Sequence, residues 1–291
     1  MSRTGKMNKT RIIAVVNRKG GVAKTTTTTN LAWKIAETIR DRREIPEPQK
    51  NDRVLIIDLD PQSNVAAALG IDPNGRCLGR FLLGETKFSE TIVSADRGHE
   101  DSGLARPNLF VVPSSDQLQE RLRELDVKLY FQQQGRKYAG PTMSNILSYS
   151  LGQYAGHFRY ILIDCPPTLG HLDTAVYDFA HEVIVPVKMA YLDSAGAMQH
   201  LKDLREAQTE MGAKARLTWI VPTFYRPQEV LARQMLENIT KVYRNLVAVP
   251  IPQSVTVEKS QAAFQRTLFE FDPESPATLA YASLAERVMA Q

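Results

Sequence analysis

Cysteine is almost absent. Cys77 and Cys165 are the only two in 291 residues, too few for a disulfide framework, and no C-x-x-C pair exists for zinc or redox chemistry. A reducing, cytoplasmic setting is expected. Long apolar runs are missing too. No stretch of 18 apolar residues occurs, so no membrane span is expected. Met1–Arg11 is basic and has no apolar stretch ahead of a cleavage site, so no signal peptide is read there. Charge of one sign is not in large excess. The 36 Lys and Arg against 32 Asp and Glu leave a net +4, which is first a solvated surface and second a charge that permits contact with polyanions. The 43% hydrophobic and 23% charged residues are those of a globular protein. The length lies within range of one α/β domain with a large core.

The chain is organised around Val15–Asn30, VVNRKGGVAKTTTTTN. An apolar β-branched run (Ile12, Ile13, Val15, Val16) precedes it, and Leu31, Ala32, Ile35, Ala36 and Ile39 follow with helical spacing. Strand, Gly-Gly turn, then Lys-Thr opening a helix is the layout of a phosphate-binding loop. Gly20 and Gly21 let the backbone curl so that its N–H groups converge on one oxygen cluster. Lys24 adds a charge for the β- and γ-phosphates, and the Thr25 hydroxyl is placed for Mg²⁺. The generic pattern G-x-x-x-x-G-K-[ST] is broken twice, by Arg18 and Ala23. What stands is K-G-G-x-x-K-T, with a second lysine, Lys19, at the front. At position 23 a methyl group is expected to fit only with negative φ.

Beyond a basic arm over residues 1–10, strands are expected at Arg11–Asn17, Arg53–Asp58, Leu109–Pro113, Arg159–Asp164, Glu182–Val187, Arg216–Pro222 and Leu246–Pro250. Continuous apolar runs such as RVLIID and RYILID mark strands buried on both faces. Helices are expected over Lys24–Arg40, Ser115–Leu129, Asp193–Met211, Pro227–Arg244, Val257–Ala263 and Ser275–Ala290, with short ones at Cys77–Leu83 and Phe88–Val93. Residues 41–52 and 95–108 read as surface loops, and 130–140 has no assignment. Alternating strands and helices predict a doubly wound, mostly parallel α/β sheet in a single domain over residues 11–291.

Three carboxylates end two of these strands: Asp58 and Asp60 the second, Asp164 the fourth. Parallel strands end beside the phosphate loop. There one carboxylate can hold Mg²⁺ and another can orient water. Each could equally be a helix cap. The loop upstream, and proline after Asp60 and Cys165, favour the site.

At these motifs the chain resembles the ParA/MinD family of deviant Walker A ATPases, nearest the ParA/Soj-type DNA-partitioning proteins. IIDLDPQ resembles the family's first switch, and ILIDCPPTLG its Walker B and second switch. VPSS (112–115), VIVPV (183–187), IPQSV (251–255) and ESPATLAYASLAERVM (274–289) extend the likeness to the C-terminus. The resemblance implies an ATPase with ATP and Mg²⁺. Lys19, Lys24 and Asp60 are the catalytic residues, Lys19 reaching across an ATP-sandwich homodimer and Asp60 positioning water. Lys19–Thr26, namely Lys19, Gly20, Gly21, Val22, Ala23, Lys24, Thr25 and Thr26, hold the nucleotide, with Thr223, Phe224 and Pro252 at the adenine. Thr25, Asp60 and Asp164 serve the metal. Iron–sulfur relatives need cysteines at a dimer axis, which Cys77 and Cys165 do not match.

ParA-type members bind DNA non-specifically as ATP dimers and are released when a ParB-like partner stimulates weak hydrolysis. That implies nucleoid association and segregation of a plasmid or chromosome. MinD-like or cargo-positioning members act on membrane or another surface. The tail TLAYASLAERVMAQ lacks the Lys/Arg and Trp/Phe content of a membrane anchor, which favours DNA. Arg226, Arg233, Lys241 and Arg244, on one expected helix region, are the candidate phosphate contacts, with Lys259 and Arg266 beyond. A solvated face is the plain alternative.

Overall fold

The computed structural model describes residues 9–41, 52–97, 105–134, 139–168, 170–189, 209, 215–262 and 265–291. The strands are β1 (Arg11–Val15), β2 (Val54–Asp58), β3 (Val93–Ser94), β4 (Leu109–Val112), β5 (Tyr160–Asp164), β6 (Glu182–Lys188) and β7 (Arg216–Thr223). They form one sheet in the order β3-β4-β2-β5-β1-β6-β7. Every pairing is parallel except that of β3 with β4.

The apolar runs explain the central strands. All five residues of β2 and of β5 are buried, because helices cover both sheet faces. Alternate residues of β1 enter opposite cores. Ile12 and Ala14 join one with α5 (Leu118–Gln133), α6 (Ile146–Ala155), α7 (Asp173–Phe179) and α8 (Val230–Tyr243). Ile13 and Val15 join the other with α1 (Lys24–Asp41) and α11 (Pro276–Ala290). Short helices α2 (Asn64–Leu69), α3 (Leu78–Leu82), α4 (Phe88–Thr91), α9 (Val255–Ala262) and α10 (Leu268–Phe271) complete the described elements. The C-terminal α11 buries Ala277, Ala280, Tyr281, Leu284, Ala285 and Val288. Packing on the sheet accounts for its apolar face. Among the described residues, no helix is long and apolar enough to cross a membrane.

Several boundaries differ from expectation. Leu246–Pro250 is not a strand. It makes a single bridge, Val247 to Ile220, and a second isolated bridge joins Pro252 to Tyr225. Ala248 N and Ile251 N still donate to Ile220 O and Pro222 O of β7, but prolines 250 and 252 have no N–H to donate, and the pairing stays at isolated bridges. The seventh strand is instead the two-residue β3, which overlaps the last residue of the helix expected over Phe88–Val93. Helix α5 runs on to Gln133, into the unassigned stretch, and α6, α7 and α10 are additional. The 95–108 segment is not all exposed surface: Ala95, Arg106 and Asn108 are buried. The helix expected over 193–211 lies outside the described residues, Thr209 aside. So do most of the basic arm and residues 42–51 of the expected loop.

Candidate functional site

The register aligns the chemistry. Val15, at the end of β1, and Asp58, at the end of β2, both pair with Asp164 at the end of β5. The glycine loop therefore leaves the sheet beside two carboxylates. Asn17 shapes the loop's start. Its Nδ2 donates to Pro186 O at 2.7 Å, and its Oδ1 accepts from Lys19 N at 2.8 Å. Gly21 takes φ +65°, as a left-handed turn requires.

Ala23 takes φ +69°, against the expected negative value. Left-handed backbone costs an L-residue about 1–2 kcal/mol. The strain is held from both sides: Ala23 O accepts from Thr27 N at 2.9 Å, and Val22 O accepts from Thr223 Oγ1 at 3.2 Å. The loop keeps its shape with a methyl group where glycine would be unstrained.

Lys24 is buried, and its Nζ donates to Lys19 O at 2.8 Å, so the lysine folds back over the loop. Burial lowers its pKa, opposed by the charges of Asp164, Cys165 and Asp60. Thr25 Oγ1 donates to Asp164 Oδ2 at 2.7 Å and Thr28 Oγ1 to Asp164 Oδ1 at 2.9 Å. Two of the three expected metal-site residues, Thr25 and Asp164, thus stand in direct contact. No group of three or more His, Cys, Asp or Glu is placed to hold an ion among the described residues. One carboxylate and a hydroxyl beside a phosphate loop fit Mg²⁺, which keeps several waters and takes its other ligands from the phosphates.

Asp58 and Asp60 have different jobs. Asp58 is fully buried, and its two oxygens accept from Asp60 N at 2.9 Å and Val65 N at 3.2 Å. It caps α2 and fixes the turn. Its pKa is pushed well above the usual carboxylate range, first by burial and then by Asp164. Asp60 is half-buried and holds its own turn through Gln62 N at 3.0 Å. It is the carboxylate left near the surface at this strand end. Both cysteines are buried, and burial pushes the Cys165 thiol up.

Burial likewise raises Asp164, to about 6, against the restraining Thr25 and Thr28 bonds. A raised carboxyl makes the folded state hold a proton that the unfolded chain has lost. Its contribution to stability is fully present below the unfolded value of 3.8 and is lost as pH rises toward about 6. Asp164→Asn, which cannot ionise, is expected to melt higher than wild type at neutral pH, by up to about 3 kcal/mol. Thr28 keeps an alternative acceptor in Lys24 O. The gap should close on acidification below about pH 5; a pH series of melting curves checks it. A constant gap would mean that Asp164 does not titrate in this range.

On one side of the loop is a cavity of about 360 Å³, lined by Gly21, Ala23, Thr26, Thr223, Phe224 and Pro252. Six of the expected nucleotide residues therefore meet around one space. Phe224 has φ +54° and lies under Lys188 Nζ at 4.7 Å from its ring centre. Other walls are Gln253, Ser254, Val257, Gln261 and Tyr281. Sequence reasoning missed these, because α9 and α11 reach the loop only through the tertiary fold.

The four basic candidates do not share one helix face. Helix α8 starts at Val230, so Arg226 precedes it, where it pairs with Glu229 at 2.9 Å. Arg244 ends the helix with φ +47°. Arg233 and Lys241 lie on α8, eight residues and hence about 80° apart. All four are exposed.

The sequence model of a family described as an AAA domain matches residues 10–218. The sporulation initiation inhibitor protein Soj of Bacillus subtilis is 28% identical over 96% of this chain and 98% of its own length. The chromosome-partitioning ATPase Soj of Thermus thermophilus is 29% identical over 97% of each chain. Among solved structures, cobyrinic acid a,c-diamide synthase from Mycobacterium smegmatis with bound ATP analog and magnesium is 27% identical. It superposes with a TM-score of 0.66 over 96% of this chain and 94% of that one.

Proposed function

The chain belongs to this AAA domain family and is a ParA/MinD-type ATPase, ParA/Soj-like, and from that premise we propose that it is a partitioning ATPase switched by ATP. ATP·Mg²⁺ is its ligand. The observation that carries this reading is the loop itself: Lys24 folded onto Lys19 O, with Thr25 on Asp164 beside the 360 Å³ cavity. In the proposed complex Lys24 and the loop N–H groups hold the phosphates, Thr25 and Asp164 hold Mg²⁺, and the cavity takes the nucleoside between Thr223, Phe224 and Pro252. When bound, Mg²⁺ supplies charge neutralisation at the β- and γ-phosphates. Asp60, free of the buried capping role that Asp58 fills, orients the attacking water, with a lesser part in the metal's outer shell. Lys19 reaches the phosphates of a second copy in a sandwich homodimer. The dimer binds DNA non-specifically on the nucleoid, through residues that include Arg226, Arg233, Lys241 and Arg244, and a ParB-like partner releases it by stimulating hydrolysis. Elements from β1 to α11 share one sheet and its two cores, which supports residues 11–291 as a single domain.

The C-terminal helix buries its apolar face in the core, which speaks against a membrane anchor and for DNA. The test is a DNA mobility shift with ATP, ADP or no nucleotide over a salt series, for wild type and Asp60→Ala. Wild type should shift DNA of any sequence only with ATP, and the shift should weaken steeply with salt. Asp60→Ala should keep the shift while releasing phosphate about a hundredfold more slowly, the span of one lost general-base or water-orienting group. No shift with any nucleotide would move the function to membrane or protein, with liposome co-sedimentation as the next measurement. Normal phosphate release by Asp60→Ala would remove that residue from its role.

A further inference from the structure

Helix α9 forms one wall of the cavity through Val257 and Gln261, and one residue ties it to the phosphate helix. Thr26 Oγ1 donates to Gln261 Oε1 at 2.9 Å, and Gln261 Nε2 donates to Thr29 Oγ1 at 2.8 Å. Thr29 Oγ1 spends its own proton on Thr25 O at 2.8 Å. Both ends of the Gln261 amide are therefore engaged on the first two turns of α1.

Thr26 also lines the cavity, in the first turn of α1. There the free N–H groups and the helix dipole favour an anion. A threonine hydroxyl has one proton. In the structure it goes to Gln261 Oε1. A phosphate oxygen is the stronger, charged acceptor, and the one proton cannot serve both. A phosphate drawn to this turn takes the Thr26 proton and leaves Gln261 Oε1 without its donor. Helix α9 packs against α2, which directly follows the Asp60 turn, and against α10.

We propose that Gln261 is a positioning residue that clamps α9 to the phosphate helix and yields its Thr26 bond when a nucleotide phosphate binds, so that occupancy of the cavity is passed to α9 and, through α2, to the Asp60 turn. This rests on the nucleotide reading above and adds to it a route of regulation.

Two variants with opposite expected signs test it. Gln261→Met keeps the length and removes both bonds. Gln261→Glu places a negative charge where the phosphate arrives. ATP affinity is measured by calorimetry, and hydrogen exchange of peptides spanning α9 is measured with and without ATP. In wild type, ATP should speed exchange in α9. In Gln261→Met exchange should already be fast and respond little, and ATP should bind about two- to tenfold tighter, because one net hydrogen bond no longer has to be broken. Gln261→Glu should bind ATP at least about tenfold more weakly, the loss shrinking in high salt. Unchanged wild-type α9 exchange on ATP binding overturns the proposal. So does a Met variant that binds ATP as poorly as the Glu variant, the outcome of a merely structural role. A wild-type protein that binds no ATP overturns the nucleotide reading with it, and is told apart by that measurement alone.

Discussion

Lys24→Ala is expected to lower ATP affinity by about a thousandfold while leaving the fold intact. Two charge-assisted hydrogen bonds from one ammonium to phosphate oxygens, at about 1.5–3 kcal/mol each, span losses of about 10²–10⁴ in Kd. The geometry makes the loss hard to compensate. Lys24 Nζ is seated on Lys19 O at 2.8 Å, inside the curl of the loop. Water entering after truncation brings no charge to set against Asp164. Arginine would not rescue it, since its planar fork is longer and cannot sit on the Lys19 carbonyl in the same space. The effect on unliganded stability should be small. Burial already disfavours the charged lysine, so removing it relieves a desolvation penalty as it leaves the Asp164 charge less balanced. Calorimetric titration with ATP and circular dichroism on the same samples separate the two effects. Binding by Lys24→Ala within about threefold of wild type would show that the phosphates sit elsewhere.

The legible part of this protein is the part that local chemistry determines. RVLIID and RYILID read as buried strands because no charged residue interrupts them between the leading Arg and the final Asp, and Val54–Asp58 and Tyr160–Asp164 are buried at every position. The glycine loop was legible because phosphate binding demands a tight turn, a lysine and a hydroxyl within a few residues. Leu246–Pro250 misled because a short apolar run followed by Pro250 and Pro252 has strand composition, yet it meets β7 only at an isolated bridge. Without the family resemblance, Asp58 and Asp60 could not be told apart in sequence. Two residues apart on a strand end, they differ only in which one finds Asp60 N and Val65 N, and that depends on the turn into α2. Ala23 was misjudged for the opposite reason. Its backbone angle is imposed by bonds to Thr27 and, through Val22, to Thr223, and the second partner lies 200 residues away. The far walls of the cavity, Gln261 and Tyr281, belong to helices whose sequence carries no nucleotide-binding signal. Their role is visible only in the bonds they make to Thr26 and Thr27.

Arg106→Ala is expected to be the most destabilising single substitution outside the hydrophobic core, at about 3–5 kcal/mol. The Arg106 side chain is fully buried, and Glu270 is 7% exposed. Arg106 Nε and one terminal nitrogen meet the two Glu270 oxygens at 2.8 and 2.9 Å, and the other terminal nitrogen donates to Leu69 O at 2.7 Å. Glu270 also accepts from Trp33 Nε1 at 2.9 Å and from Thr267 N at 2.8 Å. One pair thus joins the end of α2, the start of β4, α1 and α10. Truncating the arginine strands a buried carboxylate, which costs more than the pair itself contributes. The double variant Arg106→Met/Glu270→Leu, with no stranded charge, should recover most of the loss. The pH dependence gives an independent check. Burial alone would raise Glu270, but the Arg106 bond and charge with the Thr267 donors outweigh it and hold it below the ordinary glutamate value. A depressed carboxyl stabilises the fold above its unfolded pKa, and that contribution is lost as pH falls through the lower, folded value. Without Arg106 the burial effect is opposed only by weaker donors, the shift reverses, and the stranded carboxylate is relieved by taking up a proton. The cost of Arg106→Ala should therefore be largest near neutral pH and shrink as pH falls below about 5, read as the difference in urea unfolding free energy between variant and wild type. Neither Arg106 nor Glu270 lines the 360 Å³ cavity beside the glycine loop, so on the proposed reading ATP affinity at low temperature should not change. A cost that stays flat with pH would mean the arginine acts by packing alone, and that Glu270 gains nothing from its charge.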